Sequence, residues 1–166
     1  MPSLVKRRCN ELQSQLLGQI VGSPYAGVGR QGVVLIRILV VDDNPAVRRY
    51  MRAILEQQET WQVCGEARTG AEALHQVFES PPDLIVLDYQ MPDLNGVDVA
   101  KQISETFPKI PILMVTLHLS RQLADAARQA GVRGACAKQD IGAVVEAVDV
   151  LLHDRTYFPL ISGQIV

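Results

Sequence analysis

The chain has 166 residues, of which 48% are hydrophobic, and a formal net charge of −2 at pH 7. This length fits one domain plus an extension, and the scattered Lys and Arg residues indicate neither a nucleic-acid surface nor a membrane surface. No apolar run reaches the roughly 20 residues of a membrane span, and the first residues lack the apolar region of a signal peptide. Three cysteines without CxxC spacing predict a reducing cytoplasm, with Cys64 and Cys136 as small buried residues.

Residues 1–34 differ in pattern from the rest of the chain. Five apolar residues recur there at helical spacing: Val5, Cys9, Leu12, Leu16 and Ile20. Two interpretations fit, an amphipathic helix that docks on a partner or on a second copy, and a poorly ordered leader, because about two heptads are marginal for a coiled coil. Residues 22–32 are rich in glycine and predict a linker.

Strand and helix signals alternate from residue 33 onward. Residues 33–41 are apolar apart from Arg37, and their latter part predicts the first strand. Asn44 and Pro45 predict the start of a helix, as its N-cap and first-turn proline, and this helix extends to about Gln57. Three arginines of the helix are expected to face solvent: Arg48, Arg49 and Arg52.

The second helix is predicted from a capping box. It follows a strand over Trp61–Ala67, and Thr69 and Glu72 are spaced so that each side chain accepts the other's backbone N–H. The helix ends at two prolines, 81 and 82. The next strand is a continuous apolar run over Leu84–Leu87, typical of a strand buried on both faces of a parallel sheet.

Two strands and three helices complete the predicted order. They are a helix ended by Phe107 and Pro108, a strand over Ile110–Val115, a helix from Ser120 to Gly131, a strand over Gly134–Ala137 and a helix over Ile141–Leu152. In the fourth helix, Arg121 and Asp125 have the spacing of an i,i+4 ion pair. Five strands alternating with five helices predict an α/β fold, a flavodoxin-like, doubly wound parallel sheet of order 2-1-3-4-5 between two helix layers.

Polar residues stand at the ends of four of the predicted strands: Asp42 and Asp43, Asp88, Thr116, and Lys138. The carboxyl ends of parallel strands meet at one sheet edge, where open α/β proteins bind ligands. Two carboxylates ~4 Å apart repel by about 4 kcal/mol at an effective dielectric of 20, so this group of acids should attract a cation. Oxygen ligands in an open shell favour Mg²⁺ with retained waters over Zn²⁺.

These residues and their neighbours resemble the receiver domain of two-component response regulators. The matching motifs are Val41-Asp42-Asp43-Asn44-Pro45, Leu87-Asp88-Tyr89-Gln90-Met91-Pro92, Gly96, Val115-Thr116 and Lys138. Each motif alone is weak, but five in order, each at a strand end or turn, are specific. The resemblance covers roughly residues 36–155.

The resemblance implies that Asp88 is a phosphoacceptor. It would attack a phosphohistidine or a small acyl phosphate and form an aspartyl phosphate. Asp43, Asp88 and the backbone carbonyl of Gln90 would bind Mg²⁺, while Asp42 would act through water. The ion would neutralise charge on the transferring group.

The same resemblance implies signalling rather than enzymatic turnover. Lys138 would pair with Asp88 and then with the phosphoryl group, and Thr116 would bind a phosphoryl oxygen and draw its loop inward. The movement would switch a protein-binding surface. The implied partners are a sensor histidine kinase or a phosphotransfer protein, with a homodimer as a further option and no membrane.

Three positions depart from the family pattern. Ala135 stands where the family usually has Tyr or Phe, so we expect the output surface to switch differently or less when Thr116 moves. Leu117 replaces a small residue and is large enough to crowd the phosphoryl site. Lys138 is followed by Gln139 instead of proline, so no cis-proline is expected there.

Residues 154–160 resemble the stretch that leads into the linker of the NarL/FixJ subfamily, whose members continue into a helix-turn-helix DNA-binding domain. No recognition helix or basic stripe is evident in these 166 residues. We therefore predict an extension over 1–34, a receiver over 35–155 and a tail over 156–166. The chain is either the receiver part of a longer transcription regulator, which would contact DNA through that other domain, or a stand-alone receiver.

Two other functions fit part of the pattern. Phosphatases of the haloacid dehalogenase family also form an aspartyl phosphate, but they carry DxDx[T/V] after strand one, and Asp42-Asp43-Asn44-Pro45 lacks the second spaced aspartate. A pseudo-receiver would use the same surface for binding without phosphorylation. The acidic pair and Lys138 argue against it, whereas Ala135 and Leu117 leave it open.

Overall fold

Five parallel strands form one sheet in the order β2-β1-β3-β4-β5. The computed structural model describes residues 34–159, so the predicted N-terminal helix and linker and the end of the tail lie outside the described residues. The strands are β1 Ile36–Val41, β2 Trp61–Ala67, β3 Leu84–Asp88, β4 Ile112–Thr116 and β5 Gly134–Ala137. The helices are α1 Pro45–Leu55, α2 Gly70–Glu79, α3 Gly96–Thr106, α4 Arg121–Gln129 and α5 Ile141–Leu152. The predicted flavodoxin-like fold is confirmed.

The sheet separates two apolar cores. Leu39 and Val41 of β1 pack into the core shared with α2, α3 and α4, while Ile38 and Val40 pack into the core shared with α1 and α5. Alternate residues of a strand point to opposite faces, so one strand supplies both cores. Every residue of β3 and β4 is buried because helices cover both faces there.

Side-chain caps start each of the five helices. The cap residues are Asn44, Thr69, Asn95, Ser120 and Asp140, and each accepts a backbone N–H of the first turn. One half of the predicted capping box is wrong. Thr69 accepts the N–H of Glu72 as expected, but the Glu72 carboxylate accepts the N–H of Arg68 at 2.9 Å instead of that of Thr69.

Three further predictions about side chains are wrong. Asp125 pairs with Arg128 at 2.8 Å and not with Arg121, since an i,i+3 partner on the same face is also within reach. Arg48 does not face solvent, because it folds back on its helix and pairs with Glu66 of β2. Cys64 is exposed because β2 lies at a sheet edge and alternates buried and exposed residues.

Cys136 and the element bounds agree more closely with prediction. Cys136 is buried, and this burial raises the pKa of its thiol to about 12. Helix α1 ends at Leu55, two residues before the predicted end, and β4 begins at Ile112, two residues after the predicted start.

Over residues 34–159, no helix combines the length and apolar character that a membrane crossing requires.

The chain reverses after α5 and returns along β5. Asp154 makes the turn with φ of 57°, a left-handed conformation that Asp tolerates better than most residues. Tyr157 then forms a parallel bridge with Gly134 at the outer edge of β5. The segment around Tyr157 therefore adds a single bridge to the edge of the five-stranded sheet, which the sequence did not predict.

Candidate functional site

Three carboxylates converge at the carboxyl edge of β1 and β3. Asp42 and Asp43 follow β1 and Asp88 ends β3, and the two strands are neighbours in register, with Val41 opposite Leu87. One oxygen from each acid lies within 4.8 Å of the others. Asp42 and Asp88 are buried, whereas Asp43 is exposed. The structure thus brings together the acids that the sequence placed at separate strand ends.

Lys138 spans two of these acids from the end of β5. Its Nζ lies 2.5 Å from Oδ2 of Asp42 and 3.0 Å from Oδ2 of Asp88. Burial lowers the pKa of Lys138, but its hydrogen bonds to the two carboxylates outweigh burial and leave that pKa raised. The ammonium group therefore stays charged and offsets part of the repulsion between the acids.

Burial of Asp88 opposes the charged form of its carboxyl group. Burial raises the pKa of this carboxyl group, the hydrogen bond from Lys138 lowers it, and the nearby Asp42 raises it, with a net upward direction. Its Oδ1 also accepts the N–H of Gln90 at 3.2 Å. A second cation beside Asp88 would stabilise its charged form, so the site as folded favours cation binding.

Thr116 is the last residue of β4 and is buried. Its hydroxyl oxygen accepts the N–H of His118 at 3.3 Å, which fixes the start of the loop between β4 and α4. Leu117 is 49% exposed, so much of its side chain lies toward solvent. Gln139 donates its side-chain N–H to the carbonyl of Leu117 at 3.2 Å and joins this loop to the one that follows Lys138.

Arg48 holds the turn that carries Asp42 and Asp43, a role that was not predicted from the sequence. Its Nη1 donates to the carbonyl oxygens of Asp42 at 2.6 Å and Asp43 at 3.3 Å, and its Nε donates to Glu66 at 3.2 Å. Long side chains in a helix lean back toward its N-terminus, and Arg48 lies in the first turns after the cap Asn44. This position makes the contact possible, but the sequence alone does not show whether the side chain binds these carbonyl groups or extends into solvent.

The loop between β3 and α3 is held by Gly96 and Asp93. The N–H of Gly96 donates to the carbonyl of Tyr89 at 2.8 Å, and a Cβ on Gly96 would collide with the backbone of Asp88 and Tyr89. The Asp93 carboxylate accepts two backbone N–H groups at the start of α2, each at 2.9 Å, and they hold its pKa low. Only Gly96 was identified from the sequence.

The donor set fits a hard divalent cation. Three carboxylates offer oxygen atoms at mutual distances that one ion could bridge, and there is no cysteine or histidine among them. Mg²⁺ and Ca²⁺ prefer such oxygen ligands, and Mg²⁺ usually keeps several waters in an open site. Asp43 is the accessible ligand, because the carboxylate of Asp42 is occupied by Lys138.

Comparison with known protein families agrees with this geometry. The family described as the response regulator receiver domain matches residues 38–149, which include all three acids, Thr116 and Lys138. The chain belongs to the response regulator receiver family. Receivers of this family share the five-stranded sheet of order 2-1-3-4-5 and act in two-component signalling.

Curated relatives of this receiver are longer than the matched part. The transcriptional regulatory protein DegU of Brevibacillus brevis is 27% identical over 133 residues, which is 79% of this chain and 56% of that protein. The response regulator VraR of Staphylococcus aureus is 37% identical over 97 residues, 58% of this chain and 46% of that protein. A protein-glutamate methylesterase of Pyrococcus horikoshii is 38% identical over 91 residues, 55% of this chain and 24% of that protein. The chain thus matches from about a quarter to just over half of each relative's length.

Solved receivers superpose over most of the chain. A two-component response regulator of the LuxR family from an Aurantimonas species is 31% identical, with a TM-score of 0.72 over 74% of this chain and 89% of that chain. The receiver domain of NarL from Mycobacterium tuberculosis is 29% identical, with a TM-score of 0.70 over 74% of this chain and 99% of that one. The predicted family and its LuxR- and NarL-type branch are confirmed.

Proposed function

We propose that this receiver accepts a phosphoryl group on Asp88. The observation that supports the proposal is the position of the Asp88 carboxylate, which pairs with the ammonium group of Lys138 and has an oxygen within 4.8 Å of oxygens of Asp42 and Asp43. An anionic nucleophile in this setting can meet an anionic phosphoryl group only if cations offset both charges. Lys138 supplies one of them, and the acidic cluster can bind the other.

In the proposed site, Asp43, Asp88 and the backbone carbonyl of Gln90 would hold Mg²⁺, with Asp42 acting through water. Two observations favour this division of roles between the paired acids. Asp42 is buried and bound to Lys138, whereas Asp43 is exposed and open to an ion. When bound, the ion would neutralise charge on the transferring phosphoryl group.

The transfer itself needs positioning more than covalent chemistry from the protein. An oxygen of Asp88 forms a bond to the phosphorus of a phosphohistidine, the P–N bond breaks, and the imidazole keeps the electron pair. Lys138 then pairs with a phosphoryl oxygen in place of the Asp88 carboxylate. Thr116 gives up the N–H of His118 and turns its hydroxyl to another phosphoryl oxygen, which draws the loop after β4 inward.

We assign residues 35–155 to the receiver, residues 1–34 to an extension and residues 156–166 to a tail that leads toward a linker. The phosphoryl donor would be a sensor histidine kinase or a phosphotransfer protein in the cytoplasm. DegU carries the name of a transcriptional regulator and is longer than this match, which supports control of a DNA-binding output outside these residues. In this proposal the receiver signals and does not turn over a substrate, although one relative has the name of an enzyme.

Beryllofluoride with Mg²⁺ tests the proposal, because it adds to a phosphoaccepting carboxylate and mimics the phosphoryl group. We expect the wild-type chain to bind it in calorimetry and Asp88→Asn to lose binding. Asp149→Asn is the matched control, since Asp149 is an exposed acid on α5. Binding that survives in Asp88→Asn would refute the assignment of Asp88.

A pseudo-receiver remains the second candidate, because Leu117 and Ala135 depart from the family pattern. Acetyl phosphate with Mg²⁺ separates the two functions. A receiver gains the mass of one phosphoryl group on Asp88, whereas a pseudo-receiver keeps its mass under the same conditions.

A further inference from the structure

The five residues Arg155–Pro159, here called the strap, close the outer edge of β5. Ala135 donates its N–H to the carbonyl of Tyr157 at 2.8 Å, and Tyr157 donates its N–H to the carbonyl of Arg133 at 3.0 Å. Arg133 also holds the turn before the strap through an ion pair with Asp154 at 3.2 Å. Backbone hydrogen bonds therefore join the strap to the edge of the sheet, and the ion pair of Arg133 joins the preceding turn to the same edge.

The strap places one aromatic ring on each side of the β5 edge. Tyr157 packs against the core shared with α5, and its hydroxyl donates to Glu146 of that helix at 3.2 Å. Phe158 packs against the opposite core, which includes Ala135, and the Arg128 guanidinium of α4 lies 4.0 Å from the centre of its ring. Successive strand residues point to opposite faces, which explains how five residues reach both helices.

Helix α4 is held to the sheet by small side chains. Its two buried residues are Ala124 and Ala127, and a buried alanine contributes far less apolar area than a leucine or an isoleucine. The cation–π contact between Arg128 and Phe158 adds an attachment on the side of the strap. Phe158 thus adds an aromatic contact at the C-terminal end of α4, while the partly buried Leu123 packs on the same core from the first turn of the helix.

Helix α4 is also the element nearest in sequence to the switching threonine. Thr116 ends β4, and Ser120 caps α4 only four residues later, so an inward movement of the intervening loop pulls on the start of the helix. Arg128 lies in the last turn of the same helix. A shift of α4 along or around its axis therefore changes the fit between Arg128 and the ring of Phe158.

We propose that the strap is the element that reports phosphorylation in this receiver, docked in the unphosphorylated state and released when α4 shifts. Phe158 supplies from the tail an aromatic contact beside α4, packed on the core that includes the small residue Ala135 of β5. Release of the strap frees Pro159 and the chain that continues from it. This inference rests on the proposed phosphorylation of Asp88 and adds to it the path by which the change leaves the domain.

Hydrogen exchange in the full 166-residue chain can report directly on the two backbone hydrogen bonds of the strap. We expect beryllofluoride with Mg²⁺ to speed hydrogen exchange of the Ala135 and Tyr157 amides by about fivefold or more, the lower end of common coupling strengths. The amide of Met114, in the buried centre of the sheet, serves as the internal control and should exchange no faster, because a ligand that binds the folded state slows exchange in the core. Strap amides that keep their exchange rates when the ligand is bound would overturn the inference.

Coupling is reciprocal, so a weaker strap must favour the bound state. Phe158→Ala removes the ring that favours docking, and we expect it to bind beryllofluoride about fivefold more tightly than the wild type. Phe78→Ala is the matched control, because it removes an exposed aromatic ring that packs on Phe107. It should bind within about twofold of the wild type. Unchanged or weaker binding by Phe158→Ala would refute the coupling.

Arg128→Gln provides a second variant that keeps the Phe158 ring and removes its cation partner, together with the solvent-exposed ion pair between Arg128 and Asp125. This variant should also bind beryllofluoride more tightly than the wild type, by a smaller factor than Phe158→Ala. The possible failures are distinguishable, since a wild type that does not bind beryllofluoride contradicts the phosphoacceptor assignment itself. Binding by the wild type with no response of the strap contradicts only the inference about the strap.

Discussion

Replacing Asp88 with asparagine is expected to make the folded protein more stable in the absence of Mg²⁺. Lys138 at 3.0 Å attracts the Asp88 carboxylate by about 5.5 kcal/mol at an effective dielectric of 20. Asp42, within 4.8 Å, repels it by about 3.5 kcal/mol, and Asp43, at a similar distance but exposed to water, adds a weaker repulsion. The attraction that remains is below about 2 kcal/mol, less than the several kcal/mol that desolvation of a buried carboxylate costs. We therefore expect Asp88→Asn to raise the free energy of unfolding by about 1–2 kcal/mol at pH 7.

The pH dependence provides an independent check of the same reasoning. The pKa of Asp88 is raised in the folded state, mainly by burial, so the folded protein holds this proton more tightly than the unfolded chain. Stability should then fall as the pH rises from the ordinary range of an aspartate through the raised pKa of Asp88. The Asp88→Asn variant lacks this carboxyl group, so its free energy of unfolding should not show this decrease as the pH rises.

Urea unfolding at several pH values, with and without Mg²⁺, measures both effects. Saturating Mg²⁺ at 100 times its dissociation constant should stabilise the wild type by about 2.7 kcal/mol and Asp88→Asn by less, because the variant has lost one ligand. Asp149→Asn controls for loss of an acidic charge elsewhere. A variant Asp88→Asn that is less stable than the wild type by more than about 1 kcal/mol without Mg²⁺ would show that the pair with Lys138 dominates.

Two predictions concern the loop that follows Asp88. Gly96→Ala should destabilise the fold by about 1–3 kcal/mol in urea melts, because the new Cβ collides with the Asp88 backbone; an unchanged midpoint would contradict that contact. Asp93→Asn should be less stable than the wild type at neutral pH, and the difference should shrink in acid. Because the pKa of Asp93 is lowered in the folded state, its contribution to stability is present above the ordinary aspartate range and disappears as pH falls through the lowered pKa. Thermal melts between about pH 6 and pH 2 measure this difference, and parallel profiles of variant and wild type would count against the two hydrogen bonds from α2.

The sheet and the acidic site were predictable from the sequence because their signals are local. A continuous apolar run such as Leu84–Leu87 has few alternatives to a buried parallel strand, and a polar residue directly after it must lie at the sheet edge. Once β1 and β3 are neighbours, Asp42 and Asp88 have to meet. Their positions follow from topology and do not depend on details of side-chain packing.

The strap and the role of Arg48 were not predictable in the same way. Tyr157 joins β5 through two backbone hydrogen bonds, and such pairing leaves no periodicity in a segment of five residues. The side chain of Arg48 could extend into solvent or bind the carbonyl groups of the preceding turn, and only the three-dimensional path of that turn decides between them. The exposure of Cys64, in contrast, follows from the predicted order 2-1-3-4-5, because that order puts β2 at a sheet edge, where alternate residues face solvent.

Arg48 has a consequence for how the site meets its ion. Because this guanidinium group holds the carbonyl oxygens of Asp42 and Asp43, the turn that carries both acids loses its conformational freedom during folding. An arriving cation finds its ligands already in place and need not order a loop, so preorganisation strengthens binding without adding a ligand. Affinity for the ion therefore depends in part on an arginine that never touches it.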